Sequence, residues 1–503
     1  MNTCARTPHL LSVSCSLLLA TSALAQGPLN PSGAPAATMK TLQQIEPRTD
    51  LQASSLPPGV TTDASYHFII NQPGSYYLSA NLDVTKPNGI DVRAAGVTLD
   101  LNGFELRRTE GAGGHGIEVD VTSHRCQIRN GSIRGVAYGV RCILTSTQAR
   151  GGSLRQIAVS GCSTTGAHTG EGWEVEGVKA HDNSGVGIHA GSGATLSNCT
   201  AYANGGAFGI QTDNSATLTN CNAYSNSQSG ISTGGGSTLS NCAASANTQN
   251  GIATGSGSSL AHCAANGNTG NGINAGTSNN LSNCTAASNN GNYGIQTGAG
   301  STLTNCTASD NNGVLYGIRA AFGSTLKNCT ARGNNSTSTS VQGILVDQES
   351  SVIGCTATDN LGPDGSLNSG IHAKADSTVK DCTVQGNSGD GIFVTDNCQV
   401  IGNTANGNGT NASNNGGIRA LGQANRIESN HVVDNDRGIQ VDNTRNFIAR
   451  NTARTNGDNY VIVAGNRIAQ IVVVATNAAD ITGANSGSSD GFTNVDPWAN
   501  FSF

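Results

Sequence analysis

Arg319, Asp347, His372, Lys374, Phe393, Arg419 and Asp442 are the residues of this chain whose types and spacing could do chemistry together. Each stands one or three places after an isoleucine that follows a glycine, in Gly-Ile pairs that recur along the sequence. Guanidinium and ammonium groups suit carboxylates, an aromatic ring suits the flat face of a sugar, and an imidazole or amine can take a proton. Such a set could abstract the C5 proton of a uronate, giving β-elimination or epimerisation. His372 or Lys374 would be the base and Arg319 or Arg419 would neutralise the carboxylate, while Asp347, Phe393 and Asp442 would hold the sugar. The same side chains would equally serve a polysaccharide-binding surface without catalysis, or a structural, adhesin-type surface.

These residues need a scaffold that repeats, and the sequence supplies one. Nine cysteines, Cys199, Cys221, Cys242, Cys263, Cys284, Cys306, Cys329, Cys355 and Cys382, occupy one slot in successive units, most often 21 residues apart. Ile157 and Val178 precede them in register and Asn403, Asn430 and Asn451 follow. An aliphatic residue stands three places before the slot, as in Leu239 and Val379, and an asparagine five places after it, from Asn183 to Asn456. Gly-Ile comes next. No unit carries enough apolar surface to fold alone, so the period predicts a solenoid. Gly, Asn, Ser and Thr between the apolar positions exclude helices and leave short strands with tight corners. Stacking the coils about 4.8 Å apart lets each asparagine amide bond the next, an asparagine ladder beside a cysteine ladder.

The expected fold is therefore all-β, a parallel β-helix of about 15–17 coils over residues 66–475. Alternation turns the residues one and three after each isoleucine outward, which gathers the seven within roughly 24 Å along one face. Nearly all extra length falls between the column asparagine and Gly-Ile, at 311–318, 334–344, 360–371 and 408–418, and would wall that face. The repeat, with the opening stretch PGSYYLSANLDV at 73–84, resembles the right-handed parallel β-helix, pectin-lyase-like superfamily in its secreted, uncharacterised bacterial branch. The resemblance implies a right-handed coil with the slot at the turn between its second and third strands, where asparagine is common and this chain departs to cysteine. Neither the clustered acidic calcium ligands of pectate lyases nor the paired aspartates of polygalacturonases are recognisable. No cofactor is evident, and calcium is left open without a site.

The ends and composition complete the expectation. Arg6, the Leu17–Leu19 run and Ala23-Leu24-Ala25 read as a signal peptide over residues 1–25, so a secreted or periplasmic protein is expected. Residues 26–65 read as a linker with a short capping helix carrying Met39, Leu42 and Ile45, and 476–503 as a capping tail with Phe492, Trp498, Phe501 and Phe503. A net charge of −6 argues against a nucleic-acid partner. No stretch is long and apolar enough to span a bilayer, and without a long apolar outer stripe a monomer is expected. The expected partner is an extracellular or cell-surface polysaccharide. The slot cysteines are expected as buried thiols, with disulfides or metal as alternatives, and the pairing of Cys126, Cys142, Cys162 and Cys398 is open.

Overall fold

The computed structural model describes residues 48–109, 111, 113–120, 123–142, 150–313, 315–337, 340–363, 367–409, 415–474, 481–483 and 497–503. The chain falls into two units, Met1–Pro47 and Arg48–Phe503. The first lies outside the described residues, and with it the expected signal peptide and the capping helix.

The second unit is built from short strands and corners in strict rotation. In one coil the strands are Ser229–Thr233, Thr238–Ser240 and Ala243–Ser245. Each pairs in parallel with its equivalent one coil on, Ile231 against Ile252, Leu239 against Leu260 and Ala244 against Ala265. Three ladders result, a Gly-Ile sheet, a leucine sheet and an alanine sheet. The last two are joined near the N-terminal end, where Gln127–Arg134 and Ser153–Ser160 each run through both, turning at the left-handed Asn130 and Gln156. This is the parallel β-solenoid the repeat predicts.

Corner chemistry explains the sequence between the strands. The residue before the slot is left-handed, with φ of 52–54° at Asn198, Asn220, Asn241, Asn283, Asn305 and Asn328. Asparagine tolerates that region better than other residues with a β-carbon, so the recurring Asn-Cys-Thr triplets follow from backbone geometry. The slot side chains point inward; every cysteine from Cys199 to Cys382 is at most 1% exposed, like the leucine and isoleucine columns beside it. All thirteen described cysteines are free. Column thiols donate to backbone carbonyls, Cys242 Sγ to Ser240 O at 3.4 Å and to Leu218 O at 3.6 Å. Outside the column, burial pushes the Cys126 thiol up to about 12, which removes the reactive thiolate at neutral pH.

The asparagine ladder forms over its whole expected length. Asn183 Nδ2 donates to Asn204 Oδ1 at 2.9 Å, and the pattern continues through Asn311 to Asn334 at 2.8 Å and Asn435 to Asn456 at 3.0 Å. The second amide hydrogen goes to a backbone carbonyl, as from Asn268 to Ala244 O at 3.1 Å. A second column that the cysteine alignment did not single out runs through Ser237, Ser258, Asn279, Ser301, Ser324, Ser350 and Ser377, where each backbone N–H before the last donates to the next side chain.

Both ends extend the pattern beyond its expected bounds. Thr49–Asp50, placed in the linker by the sequence, pairs in parallel with Tyr76–Tyr77. At the other end Asn500–Ser502 pairs with both Ile471–Val473 and Thr452–Ala453. Asn500 takes the slot above Asn451, accepting from its Nδ2 at 3.1 Å, so the tail contributes a slot residue as well as a cover. Phe492 lies outside the described residues.

Candidate functional site

The outward residues of the Gly-Ile sheet form one continuous register column. Arg319 partners Leu345, Leu345 partners His372, and the row continues through Phe393, Arg419 and Gln440. Although they face away from the core they are not freely exposed: Leu345 is 3% exposed, Phe393 7% and Gln440 5%. They form a floor along the outward face of the sheet. The inserted segments stack beside it as an extra ladder, with Asn312 bridged to Asn335 and Asn335 to Leu361. A cavity of about 650 Å³ opens against those segments, lined by Asn312, Asn335, Ser336, Leu361 and Pro363 among others.

All seven expected residues reach this face, in two groups. Asp347 bridges the first group, accepting from Lys374 Nζ at 2.6 Å and Arg319 Nη2 at 3.3 Å. In the second, Arg419 Nε donates to Asp442 Oδ2 at 2.7 Å and its guanidinium lies over the Phe393 ring, 5.8 Å from the centroid. His372 joins them, its ring edge-on to Phe393 with centroids 4.8 Å apart. Burial holds the His372 imidazole down at about 4, with Lys374 acting in the same direction and Asp347 opposing, so the ring is neutral at pH 7. The expected cluster of open cations is instead a set of ion pairs, and Lys374 is engaged by Asp347, which leaves His372 as the better-placed base.

Sequence reasoning followed two outward columns and passed over a third, the residue before the glycine of Gly-Ile. That position holds Tyr293, Tyr316, Gln342, Ser369 and Asp390 in register. Tyr293 and Tyr316 stack at 5.5 Å, and Arg319 lies over Tyr293. Asp390 is 4% exposed, accepts from Gly416 N at 2.6 Å and lies 3.7 Å from Arg419 Nη1. Burial pushes its carboxyl up to about 7 against these two donors, so it exchanges a proton near neutrality. The signal was available, since the Gly-Ile alignment already fixed this column. Three buried polar atoms of the floor have no partner: Gln342 Oε1, Ser369 Oγ and Gln440 Oε1. Among the described residues no group of three or more His, Cys, Asp or Glu side chains is placed to hold a metal ion. Nor, among those residues, is any helix long and apolar enough to cross a membrane.

Among solved structures the chain is similar to the A-module of mannuronan C-5 epimerase AlgE4 of Azotobacter vinelandii, 15% identical over 51% of this chain and 86% of that one, with a TM-score of 0.44. It is similar to the periplasmic alginate epimerase AlgG, 13% identical over 67% and 83% with a TM-score of 0.30, and to pectate lyase Pel9A, 12% identical over 72% of each with a TM-score of 0.22. No curated protein matches. The family model for the right handed beta helix region matches residues 115–280 and 342–486, more than half of the sequence and in the coils just described. The chain belongs to the right handed beta helix family.

Proposed function

We propose that this protein binds an extracellular or cell-surface polysaccharide lengthwise in the groove over residues 293–442. The observation that carries the reading is the row of unpartnered buried polar atoms, Gln342 Oε1, Ser369 Oγ and Gln440 Oε1, on a floor that also presents Phe393 and Arg419. A buried acceptor or hydroxyl without a partner costs roughly 1–3 kcal/mol, and a small turn of each side chain toward a hydroxyl-rich chain over the floor would supply one. Sugar rings repeat about as often as the coils do, so a linear glycan suits a linear floor. Such a partner accords with a secreted or periplasmic location. Affinity electrophoresis against a panel of uronate-containing and neutral polysaccharides tests the reading: retardation by at least one is expected, and Phe393→Ala should weaken it about tenfold. Retardation by none would turn the groove into a structural, adhesin-type surface.

His372 favours a second reading, in which the groove also acts as a polysaccharide lyase or C5-epimerase on uronates. Its neutral ring near Asp347 can accept the C5 proton while the Arg319 guanidinium, two coils away and held by Asp347, faces the carboxylate. Ultraviolet absorbance of unsaturated uronate products, lost in His372→Ala, tests elimination, and proton exchange into C5 from deuterated water tests epimerisation.

A further inference from the structure

The floor of the groove does not stop at its loop-walled end. Followed toward the N-terminus through register partners, the first outward column runs His189, His168, Arg141, Glu118 and Asp91. The column two places before the inward residue adds His115 and Tyr138 on the same strands, and Tyr66 on the strand one coil before Asp91. Five consecutive coils therefore present ionisable side chains on the face that the inserted loops wall farther along.

Glu118 is the centre of this group. Its Oε2 accepts from the Tyr66 hydroxyl, its Oε1 lies 3.5 Å from Arg141 Nη1, and His115 Nε2 lies 3.9 Å from the same oxygen. Tyr66 and Arg141 thus fix a carboxylate that is 6% exposed, with the His115 ring packed beside it. Arg141 Nη1 donates to His115 Nε2 at 2.7 Å, which puts the imidazole hydrogen on Nδ1. That Nδ1 is buried and has no partner, an N–H donor held ready for an oxygen the protein does not supply. Asp91 is the register partner of Glu118 one coil below. Neighbouring strands are about 4.8 Å apart, which sets the two carboxyl groups on the order of 5 Å from each other. Asp91 is 4% exposed and receives Arg93 Nε at 2.6 Å. Burial raises its pKa above the ordinary carboxylate value, with Arg93 opposing and Glu118 adding to the rise.

Two carboxyl groups on adjacent coils of one column, in unlike surroundings, suit glycoside hydrolysis, and the strand spacing favours the shorter separation of about 5–5.5 Å that retention uses. We propose that Asp91 and Glu118 form a glycoside-hydrolysing pair at the N-terminal end of the groove, acting on an acidic polysaccharide. The proposal rests on the reading of the groove as a polysaccharide site. Glu118 attacks the anomeric carbon and forms a glycosyl ester while the bond to the glycosidic oxygen breaks, and Asp91 gives that oxygen its proton. A water molecule then attacks the same carbon, its proton passes to Asp91, and Glu118 leaves as a carboxylate. Tyr66 and Arg141 are positioning residues that orient Glu118. The side chains of Arg93 and Arg141 are 45% and 33% exposed and favour an acidic sugar beside the scissile bond.

The test counts reducing ends released by the purified full chain from a panel of uronate-containing and neutral polysaccharides, with binding followed in parallel by affinity electrophoresis. Reducing ends are expected from at least one glycan, falling at least about 100-fold in both Glu118→Gln and Asp91→Asn while binding persists. The newly formed anomer, read by proton NMR, is expected to be the retained one, and azide added to Glu118→Ala should yield a glycosyl azide. If either variant melts early, Glu118→Asp, which draws the carboxyl back by one methylene, is expected to show the same loss on a folded chain. Binding without reducing ends from the wild type would overturn the pair and leave the groove reading intact, whereas absence of binding would overturn both. An inverted product, or cleavage indifferent to Glu118→Gln in a folded variant, would also overturn it.

Discussion

Coils 229–300 and coils 316–442 have nearly the same inside and very different outsides. Ile252, Leu260 and Cys263 in the first stretch and Ile371, Val379 and Cys382 in the second are all at most 1% exposed, and both stretches carry the asparagine ladder without a break. Outward, the first presents Ser232, Ala253 and Asn274, while the second presents Arg319, His372, Phe393 and Arg419. In a solenoid each coil contacts only its neighbours, so the core residues that secure stacking place no demand on the outward ones. Function can therefore be concentrated in a few coils without any change to the fold that carries them.

The comparison breaks most visibly if the two cores are unequal. Ile252→Ala and Ile371→Ala remove equivalent fully buried side chains, and each is expected to cost about 2–5 kcal/mol in denaturant unfolding, the two agreeing within about 1 kcal/mol. The next effect belongs to the functional coils alone. Asp390 holds its proton up to about 7 in the folded chain, whereas in the unfolded chain it ionises from its ordinary value of 3.8. The folded state thus binds more protons between these values, and stability falls as pH rises from about 4 to about 7, by at most about 4 kcal/mol. Thermal melts across that range should show the slope reduced in Asp390→Asn. His372 works in the opposite sense. Its folded value of about 4 lies below the ordinary 6.5, so its contribution is present above pH 6.5 and is lost as pH falls toward 4. His372→Gln should flatten that acid loss.

Smaller effects sharpen the same contrast. Asn268→Ala and Asn387→Ala each remove a side chain that joins two coils and leave neighbouring groups unpaired, with an expected cost of about 2–3 kcal/mol in either stretch. Phe393→Ala should weaken glycan binding about tenfold, or about 1.4 kcal/mol, while Asn274→Ala on the plain coils leaves it unchanged. Smallest of all, Ala246 sits at φ 52° where the equivalent residue one coil on is Gly267, so Ala246→Gly should raise stability by up to about 1 kcal/mol.

The fold was legible because its rules are local and repeated. One unit, 237–257, already shows the inward leucine, the slot, the column asparagine and Gly-Ile, and repetition makes any chance match improbable. What the alignment did not show were the residues that use the register without sharing the motif. Thr49–Asp50 and Asn500 complete end coils across irregular connections, so no spacing from the repeat leads to them. The site was legible to the extent that alternation is strict: all seven residues reach the same face. The structure departs from the sequence in how they are engaged there. Arg319 and Lys374 both turn to Asp347, a matter of side-chain reach that spacing does not encode. Asp390 stands in a column that the Gly-Ile alignment fixes but that alternation does not reach. Adjacent glycine and isoleucine both turn inward, as a β-carbon on Gly391 would meet the Asn408 amide, so simple alternation does not carry back past them to the residue before.

The row of nine thiols gives this molecule a built-in tally of its own opening. Each coil from Cys199 to Cys382 holds one sulfur at the same depth, sealed while that coil is closed and available to a thiol reagent once it parts from its neighbours. The number of labels gained, and the order in which peptide mapping finds them, would trace how unzipping travels along the rod, turn by turn from whichever end lets go first.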